Sequence, residues 1–196
     1  MFLWAQCRRL RKRCATGAGG YVFGGQELIR RLMPAFRVQG EGRIVQMSSM
    51  LGYVALAYRG AYCASKYAIE GLTDALRLEL RGTNIHVAIV EPGPIAARFR
   101  DNAYEAFKRF INKDISAHRT QYEAMIGRLE GQRGPLPFTL PPEAVLKRVV
   151  HALESKRPHR RYQVTVPAYL TAWLQRLLPT PLLDWLLYRI GGEGRR

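Results

Sequence analysis

The sequence predicts an α/β fold, because short runs with the composition of buried strands alternate with longer segments that carry a helical stripe of apolar residues. The largely apolar run from Ile44 to Met47 and the β-branched run from Asn84 to Val90 both suit strands of a parallel sheet. The chain has 196 residues, of which 47% are hydrophobic, and this is enough for one domain with a core. Together these observations indicate a sheet with helices packed against it.

Helical patterns precede, separate and follow these strands. The segment from Val22 to Phe36 has apolar residues at helical spacing, and the segment from Ala61 to about Arg81 has a side of small and apolar residues. A further helix is expected to start near Pro141, since proline and an acidic residue are favoured in a first turn. A third strand is expected from Tyr162 to Val166, and His86 in the second strand is expected to be a core histidine.

Three side chains with catalytic chemistry lie close together along the chain. Ser49 follows the first strand, so its hydroxyl is expected at the carboxyl end of the sheet, where open α/β proteins bind ligands. Tyr62 and Lys66 are four residues apart at the start of a helix and therefore share one face of it. The ammonium of Lys66 can then favour the ionised phenol of Tyr62 and lower its pKa, as a general acid or base requires.

The segment from Gly42 to Lys66 resembles the active-site signature of the short-chain dehydrogenase/reductase family. It combines a strand, two serines followed by a glycine, a gap, and the sequence Tyr-Cys-Ala-Ser-Lys. Matching Tyr62 and Lys66 to the family's Tyr-x-x-x-Lys pair places the family's catalytic serine at Ser49, and the Glu-Pro-Gly segment at 91–93 adds to the likeness. The resemblance implies an α/β fold that is the C-terminal half of a Rossmann-type doubly wound parallel sheet, without the first strands and the glycine-rich turn.

The resemblance also implies an oxidoreductase that uses NADP or NAD to transfer a hydride between a carbonyl and an alcohol. In the reducing direction Ser49 would hydrogen-bond the carbonyl oxygen and Tyr62 would give the proton. Lys66 would lower the pKa of Tyr62 and hold the nicotinamide ribose. The implied cofactor contacts, on the catalytic helix and in the segment after the second strand, are Tyr62, Lys66, Pro92, Gly93 and Ile95.

The chain departs from the family pattern at its beginning. Residues 1–20 combine an apolar start, a basic block and a glycine-rich end, and are expected to be an atypical, unstructured leader. Tyr21 stands where many members carry the asparagine of a catalytic tetrad, and the family's glycine-rich turn and Asn-Ala-Gly segment are not found. Residues 21–167 are then expected to form a partial Rossmann-like domain, and residues 168–196 an apolar helical tail.

Two further regions bear on the substrate. Residues 94–140 are expected to hold the substrate loop, and their aromatic side chains suit an apolar aldehyde, ketone, retinoid or steroid-like molecule, or else form a small local core. The tail is expected to form two short helices broken at Pro179 and Pro181. Its Trp and Leu residues either cap the substrate site or extend the core, or they seat the protein peripherally on a membrane.

Composition makes other classes of protein less favoured. The formal net charge is +16, but the basic residues are spread along the chain without a nucleic-acid-binding module, so no nucleic-acid partner is expected. Three scattered cysteines indicate neither a disulfide framework nor a metal site, and favour a cytoplasmic protein. The resemblance implies a homodimer built by the first two helices. The alternative is a non-catalytic fragment that pairs with a full-length homologue through the same helices.

Overall fold

A three-stranded parallel sheet forms the centre of the computed structural model, which describes residues 20–110, 119–129 and 137–191. The strands are β1 (Glu41–Met47), β2 (Asn84–Glu91) and β3 (Arg161–Gln163), in the order β1-β2-β3. The register pairs Ile44 with Val87 and Val90 with Tyr162. The predicted α/β class with a parallel sheet is therefore confirmed. Apart from Gly20, the predicted leader lies outside the described residues.

The third strand is shorter than the sequence predicts. Instead of running from Tyr162 to Val166, it begins one residue earlier and ends at Gln163. Thr165 caps the next helix, because its hydroxyl accepts a hydrogen bond from the Ala168 amide at 3.4 Å. The chain therefore turns into a helix at a point where its β-branched composition favours a longer strand.

The helices of the described residues account for most of the remaining chain. They are α1 (Gly25–Gln39), α2 (Gly60–Glu79), α3 (Phe99–Phe110), α4 (Arg119–Leu129), α5 (Glu143–Glu154), α6 (Val166–Leu177) and α7 (Thr180–Ile190). A π-helical turn spans Gly20–Gly24 and a 3-10 turn spans Met50–Gly52. The region predicted as the substrate loop thus contains two helices, α3 and α4, and a parallel bridge between Ile95 and Leu140 ties its two ends together.

Helices cover both faces of the sheet, and the side chains of β2 alternate between them with the two-residue period of a strand. Ile85 and Val87 pack with residues of α1 and α2. Ala88 and Val90 pack on the opposite face with α5 and β3. Glu91 continues the first series and is fully buried. A carboxyl group therefore enters the core on the face that α2 covers.

His86 does not belong to the core, which corrects the expectation from the apolar run around it. Its side chain is half-buried, and its Nε2 lies 3.2 Å from Asn84 Oδ1 at the beginning of β2. The core tightens only towards the carboxyl end of the strand, so a polar ring near the amino end keeps contact with solvent.

The tail forms α6 and α7, and the predicted break at Pro179 and Pro181 is confirmed. On one side of α7, Leu187 is buried in a cluster with Leu51, Val54 and Cys63. The opposite sides of the two helices leave large apolar residues exposed, namely Leu170, Trp173, Leu177, Leu182, Trp185, Tyr188 and Ile190. None of the helices described is long and apolar enough to cross a bilayer.

Candidate active site

Backbone hydrogen bonds hold the segment after β1 beside the segment after β2. The Ser48 amide donates to the Val90 carbonyl at 2.8 Å, and the Met50 amide donates to the Pro92 carbonyl at 2.9 Å. Ser49 lies between these two bonds. Its Oγ accepts from the Leu51 amide at 3.2 Å and thereby caps the 3-10 turn that follows. The predicted catalytic serine is thus fixed at the carboxyl edge of the sheet.

The two adjacent serines have different surroundings. Ser48 is 4% exposed, and its hydroxyl lies beside Gly52 and Glu70. Ser49 is half-buried, and among the described residues its hydroxyl donates to the Pro92 carbonyl over a long distance of 3.4 Å. At that length the hydrogen bond is weak, so the Ser49 hydroxyl can donate a hydrogen bond to a better-placed acceptor instead.

Tyr62 and Lys66 lie in the first turns of α2 and come together as their spacing predicts. The Lys66 Nζ is 5.7 Å from the centroid of the Tyr62 ring. It also donates a hydrogen bond of 2.9 Å to the carbonyl of Met47, the last residue of β1. Lys66 is only 7% exposed, and this burial lowers the pKa of its ammonium, while the carboxylate of Glu70 opposes the shift. The ammonium therefore links α2 to the end of β1.

Apolar side chains surround the other side of Tyr62. The half-buried phenol packs against the cluster that contains Leu51, Val54 and Leu187. Leu187 belongs to α7, so the tail reaches the immediate surroundings of the predicted proton donor. The tail thus extends the core at the active site, which is one of the roles that the sequence left open.

The segment after β2, which is predicted to contact the cofactor, makes several contacts with other parts of the protein. The Pro92 carbonyl accepts from the Met50 amide, and the side chain of Ile95 packs on the cluster between β2 and α5. A Cβ atom at Gly93 would collide with Thr165 Oγ1. The glycine is therefore required by a neighbouring side chain. Contacts of Pro92, Gly93 and Ile95 with a cofactor stay a prediction.

A partly buried cluster of charged and titratable groups, which the sequence did not predict, begins one turn beyond Lys66 along α2. Arg161 of β3 donates to Glu70 at 2.7 Å, to Glu91 at 2.5 Å and to Asp74 at 2.7 Å. The four-residue spacing of Tyr62, Lys66, Glu70 and Asp74 could have revealed a row of titratable groups on one helix, but not its contact with Arg161. The described residues contain no group of three or more His, Cys, Asp or Glu that could hold a metal ion.

Comparisons with known proteins find relatives of this chain. A family model described as short chain dehydrogenase matches residues 20–107. The uncharacterized oxidoreductase YbbO of Escherichia coli is 42% identical over 165 residues, which are 84% of this chain and 55% of that protein. The 17-beta-hydroxysteroid dehydrogenase type 6 of Rattus norvegicus is 34% identical over 158 residues, which are 76% of this chain and 48% of that protein.

A solved structure shares the fold. The short chain dehydrogenase from Burkholderia cenocepacia, solved in complex with NADP, superposes with a TM-score of 0.60 at 22% identity, covering 88% of this chain and 58% of that one. Fold and site define an α/β protein with serine, tyrosine and lysine at the carboxyl edge of a parallel sheet. The chain belongs to the short-chain dehydrogenase/reductase family. It spans between 48% and 58% of the length of these three proteins.

Proposed function

We propose that this chain carries the catalytic groups of an NAD(P)-dependent oxidoreductase that interconverts a carbonyl and an alcohol. The observation that carries the proposal is the Tyr62–Lys66 pair, in which a buried ammonium lies 5.7 Å from the phenol ring. Ser49 stands at the same edge of the sheet and has a weakly engaged hydroxyl. These groups supply what the polarisation and protonation of a carbonyl require.

Each of the three side chains has a distinct role in the reducing direction. The Ser49 hydroxyl donates a hydrogen bond to the substrate oxygen and orients it. The Tyr62 phenol gives a proton to that oxygen as it becomes a hydroxyl. The Lys66 ammonium stabilises the phenolate that Tyr62 becomes, since an opposite charge nearby favours the ionised form. A bound NADPH or NADH supplies the hydride.

The donor set fits the nicotinamide end of such a cofactor. Lys66 brings an ammonium to the edge where open α/β sheets bind their ligands, and Tyr62 stands one turn away on the same helix. The backbone of Pro92, Gly93 and Ile95 follows β2 at this edge and would flank the nicotinamide. The Burkholderia cenocepacia protein with the same fold was solved with NADP, which supports this class of cofactor.

An apolar aldehyde, ketone or alcohol is the substrate class that the surroundings of the site support. Tyr62 packs among apolar side chains from three segments of the chain. An edge-to-face contact joins the rings of Tyr58 and Tyr122, with centroids 5.8 Å apart, so α4 lies against the loop that precedes the catalytic helix. The rat relative is named for a hydroxysteroid, a substrate of the same apolar class.

Substituting Tyr62 by phenylalanine tests the function. The assay follows NADPH and NADH oxidation with a panel of apolar aldehydes and ketones, using the chain from Gly20 fused behind the N-terminal half of the Escherichia coli relative. We expect Tyr62→Phe to lower kcat by about 10²-fold or more, because it removes the proton donor. Tyr67→Phe is the matched control, since Tyr67 is exposed on the same helix and should leave turnover unchanged. Turnover retained in Tyr62→Phe would contradict the assignment.

The alternative, a non-catalytic fragment that pairs with a full-length homologue, shares one feature with the proposed homodimer. Both need a helical surface for association, and α1 and α2 expose Leu28, Leu32, Tyr67 and Leu78. Light scattering of the chain alone, and of the chain mixed with the Escherichia coli relative, distinguishes the homodimer from the fragment that pairs with a homologue. A dimer that forms only in the mixture, together with no turnover in the fusion, would favour the fragment.

Peripheral contact with a membrane is a further part of the proposal and rests on the outer surface of the tail. Trp173 and Trp185 are 60% and 51% exposed, and the guanidinium of Arg189 lies 4.5 Å from the Trp185 ring. Exposed tryptophan and leucine beside arginine suit the interface of an anionic bilayer. We expect the chain to sediment with anionic vesicles and a Trp173→Ser/Trp185→Ser variant to remain in solution. Equal sedimentation of both proteins would exclude this contact.

A further inference from the structure

The catalytic helix continues its row of ionisable groups beyond Lys66. Tyr62, Lys66, Glu70 and Asp74 are spaced four residues apart in α2 and therefore lie along one face of it. Glu70, like Lys66, is only 7% exposed. Buried charges are costly unless they are paired, so a carboxyl group one turn from a buried ammonium calls for a physical account.

Arg161 of β3, which also binds Glu91 of β2 and Asp74 of α2, holds the Glu70 carboxyl in place. Its Oε2 accepts from Arg161 Nη1 at 2.7 Å, and the same nitrogen donates to Glu91. Arg161 is itself fixed by Asp74, through a contact of 2.7 Å to its other terminal nitrogen. A Cβ atom at position 52 would come within 3.0 Å of Glu70 Oε1, so only glycine leaves room for this carboxyl.

The second oxygen of the carboxyl faces the segment after β1. Glu70 Oε1 and Ser48 Oγ are both buried, and neither has a partner with good hydrogen-bond geometry among the described residues. The Ser48 hydroxyl is nevertheless close enough to favour the ionised carboxyl. The phenol of Tyr53 donates to the Ala168 carbonyl, and burial raises the pKa of this phenol, with the charge of Glu70 contributing to the shift. Two of the groups that face Glu70, Lys66 and Asp74, lie on its own helix. The others are Ser48 and Tyr53 in the segment after β1, Glu91 in β2 and Arg161 in β3.

Electrostatics link the carboxyl to the lysine. Burial raises the pKa of Glu70 to about 7, with Glu91 adding to the shift and Ser48 and Arg161 opposing it. Burial lowers the pKa of Lys66, and Glu70 is the group that opposes this shift. Arg161 is shared with Glu91 and Asp74, so its charge does not cancel that of Glu70 alone.

We propose that Glu70 is a positioning residue for the catalytic pair: its carboxylate, fixed by Arg161, keeps the Lys66 side chain charged and directed at Met47 and Tyr62. The proposal rests on the proposed function for its relevance to turnover, but its physical content concerns the free protein. Glu70 reaches the reaction only through Lys66. Without this charge the ammonium would be buried with weaker compensation and would lose its proton more readily.

The test measures the pKa of Lys66 directly, without cofactor or substrate. In the full chain labelled with ¹³C-lysine, the Lys66 Cε resonance is assigned by its loss in Lys66→Arg and is followed over the pH range in which the fold persists. We expect Glu70→Gln to lower the pKa of Lys66 by about one unit or more, as the loss of a nearby opposite charge does. Asp74→Asn is the matched control, because it removes a carboxylate from the same cluster one turn further from Lys66, and it should leave that pKa nearly unchanged.

Two outcomes would overturn the proposal. One is an unchanged Lys66 pKa in a Glu70→Gln variant whose circular dichroism spectrum is native. The other is an equal shift in both variants, which would indicate a general structural effect. Should Glu70→Gln fail to fold, the wild-type titration decides: the Lys66 resonance must move as Glu70 ionises near pH 7, and a flat signal there contradicts the link. Because no step needs turnover, failure of the proposed function in the fusion would leave this result separately readable.

Discussion

Neighbours, more than residue type, decide what each polar side chain of this protein can do. Ser48 and Ser49 are adjacent, yet the first is buried against Glu70 and the second is half-open at the sheet edge. Glu70 and Glu79 lie on the same helix, but only Glu70 is buried and shares an arginine with a second carboxylate. Two carboxylates that share one guanidinium in a buried site cannot both ionise as easily as in water. Burial thus turns an ordinary acid into a group that titrates near neutrality.

The free energy of unfolding should decrease as the pH rises, because of Glu70. Its pKa is raised from 4.5 to about 7 in the folded state, so the folded protein holds this proton more tightly than the unfolded chain. The contribution is fully present below pH 4.5 and is lost as the pH rises through about 7, with a slope of at most about 1.4 kcal/mol per pH unit for one proton. Urea unfolding across this window should show a smaller fall in Glu70→Gln than in wild type, and an unaltered fall in the exposed control Glu79→Gln. The same pH dependence in all three proteins would contradict the shift.

Replacing Gly93 by alanine should destabilise the protein. The added Cβ would collide with Thr165, which is 1% exposed and caps α6, and would lie 3.3 Å from Met50 Sδ. Overpacking of this kind costs about 1–3 kcal/mol in the free energy of unfolding. The same substitution at Gly71 meets no atom within 4 Å on an exposed side of α2 and should instead stabilise the helix by up to about 1 kcal/mol. Denaturant titration measures both, and a neutral Gly93→Ala would show that the Thr165 contact yields without cost.

The tail helices have two sides with different tasks. The side of α7 with Leu187 joins the cluster around Tyr62, while the side with Trp185 and Tyr188 is exposed. A single element can therefore pack against Tyr62 on one side and leave an apolar surface exposed on the other. The region between residues 94 and 140 also makes two kinds of contact. A backbone bridge joins its two ends, and α4 contacts the loop before α2.

Alanine substitutions on the two sides of α7 should separate these tasks. Leu187→Ala removes a buried side chain and should lower the free energy of unfolding by about 2–5 kcal/mol. Trp185→Ala removes a larger side chain that is 51% exposed, and its effect on stability should stay below about 1 kcal/mol. Urea unfolding gives both values. Equal losses would mean that the two sides of α7 are equally part of the core.

At the scale of the whole molecule, the sheet has an edge strand whose outer side has no partner among the described residues. Among the described residues β1 pairs on one side only, with β2, and its second edge has no partner strand. An unpaired edge is a template for another chain. No described strand leads into a glycine-rich turn and helix, the arrangement that binds the pyrophosphate of a dinucleotide in open α/β proteins.

The chain by itself should accordingly bind NADH and NADPH weakly. Tyr62, Lys66 and the segment 92–95 are predicted to contact only the nicotinamide half of either molecule, and the described residues offer no predicted contact to the other half. Calorimetric titration of the purified 196-residue chain should give no micromolar dissociation constant for either cofactor. A micromolar value would show that residues outside the described ranges, or a second copy of the chain, complete the nucleotide site.

Local sequence determined the features that depend on short-range spacing and on composition. The positions of β1 and β2, the helix that follows β1 and the meeting of Tyr62 with Lys66 could be predicted, because strand and helix periods bring residues two or four apart to one face. The break in the tail could be predicted from Pro179 and Pro181. The helices α3 and α4, which follow β2, were not predicted. The choice of Ser49 came from a resemblance, and the burial of Ser48 supplies a physical reason for it.

Only the tertiary structure decided the features that depend on which distant residues become neighbours. The early end of β3 follows from the helix cap at Thr165, the need for glycine at 93 follows from the same threonine, and the carboxyl cluster follows from the convergence of α2, β2 and β3 on Arg161. Glu70 and Arg161 are 91 residues apart in sequence and 2.7 Å apart in space. No local pattern encodes such a contact, because burial and charge pairing arise only when the sheet and its helices are assembled.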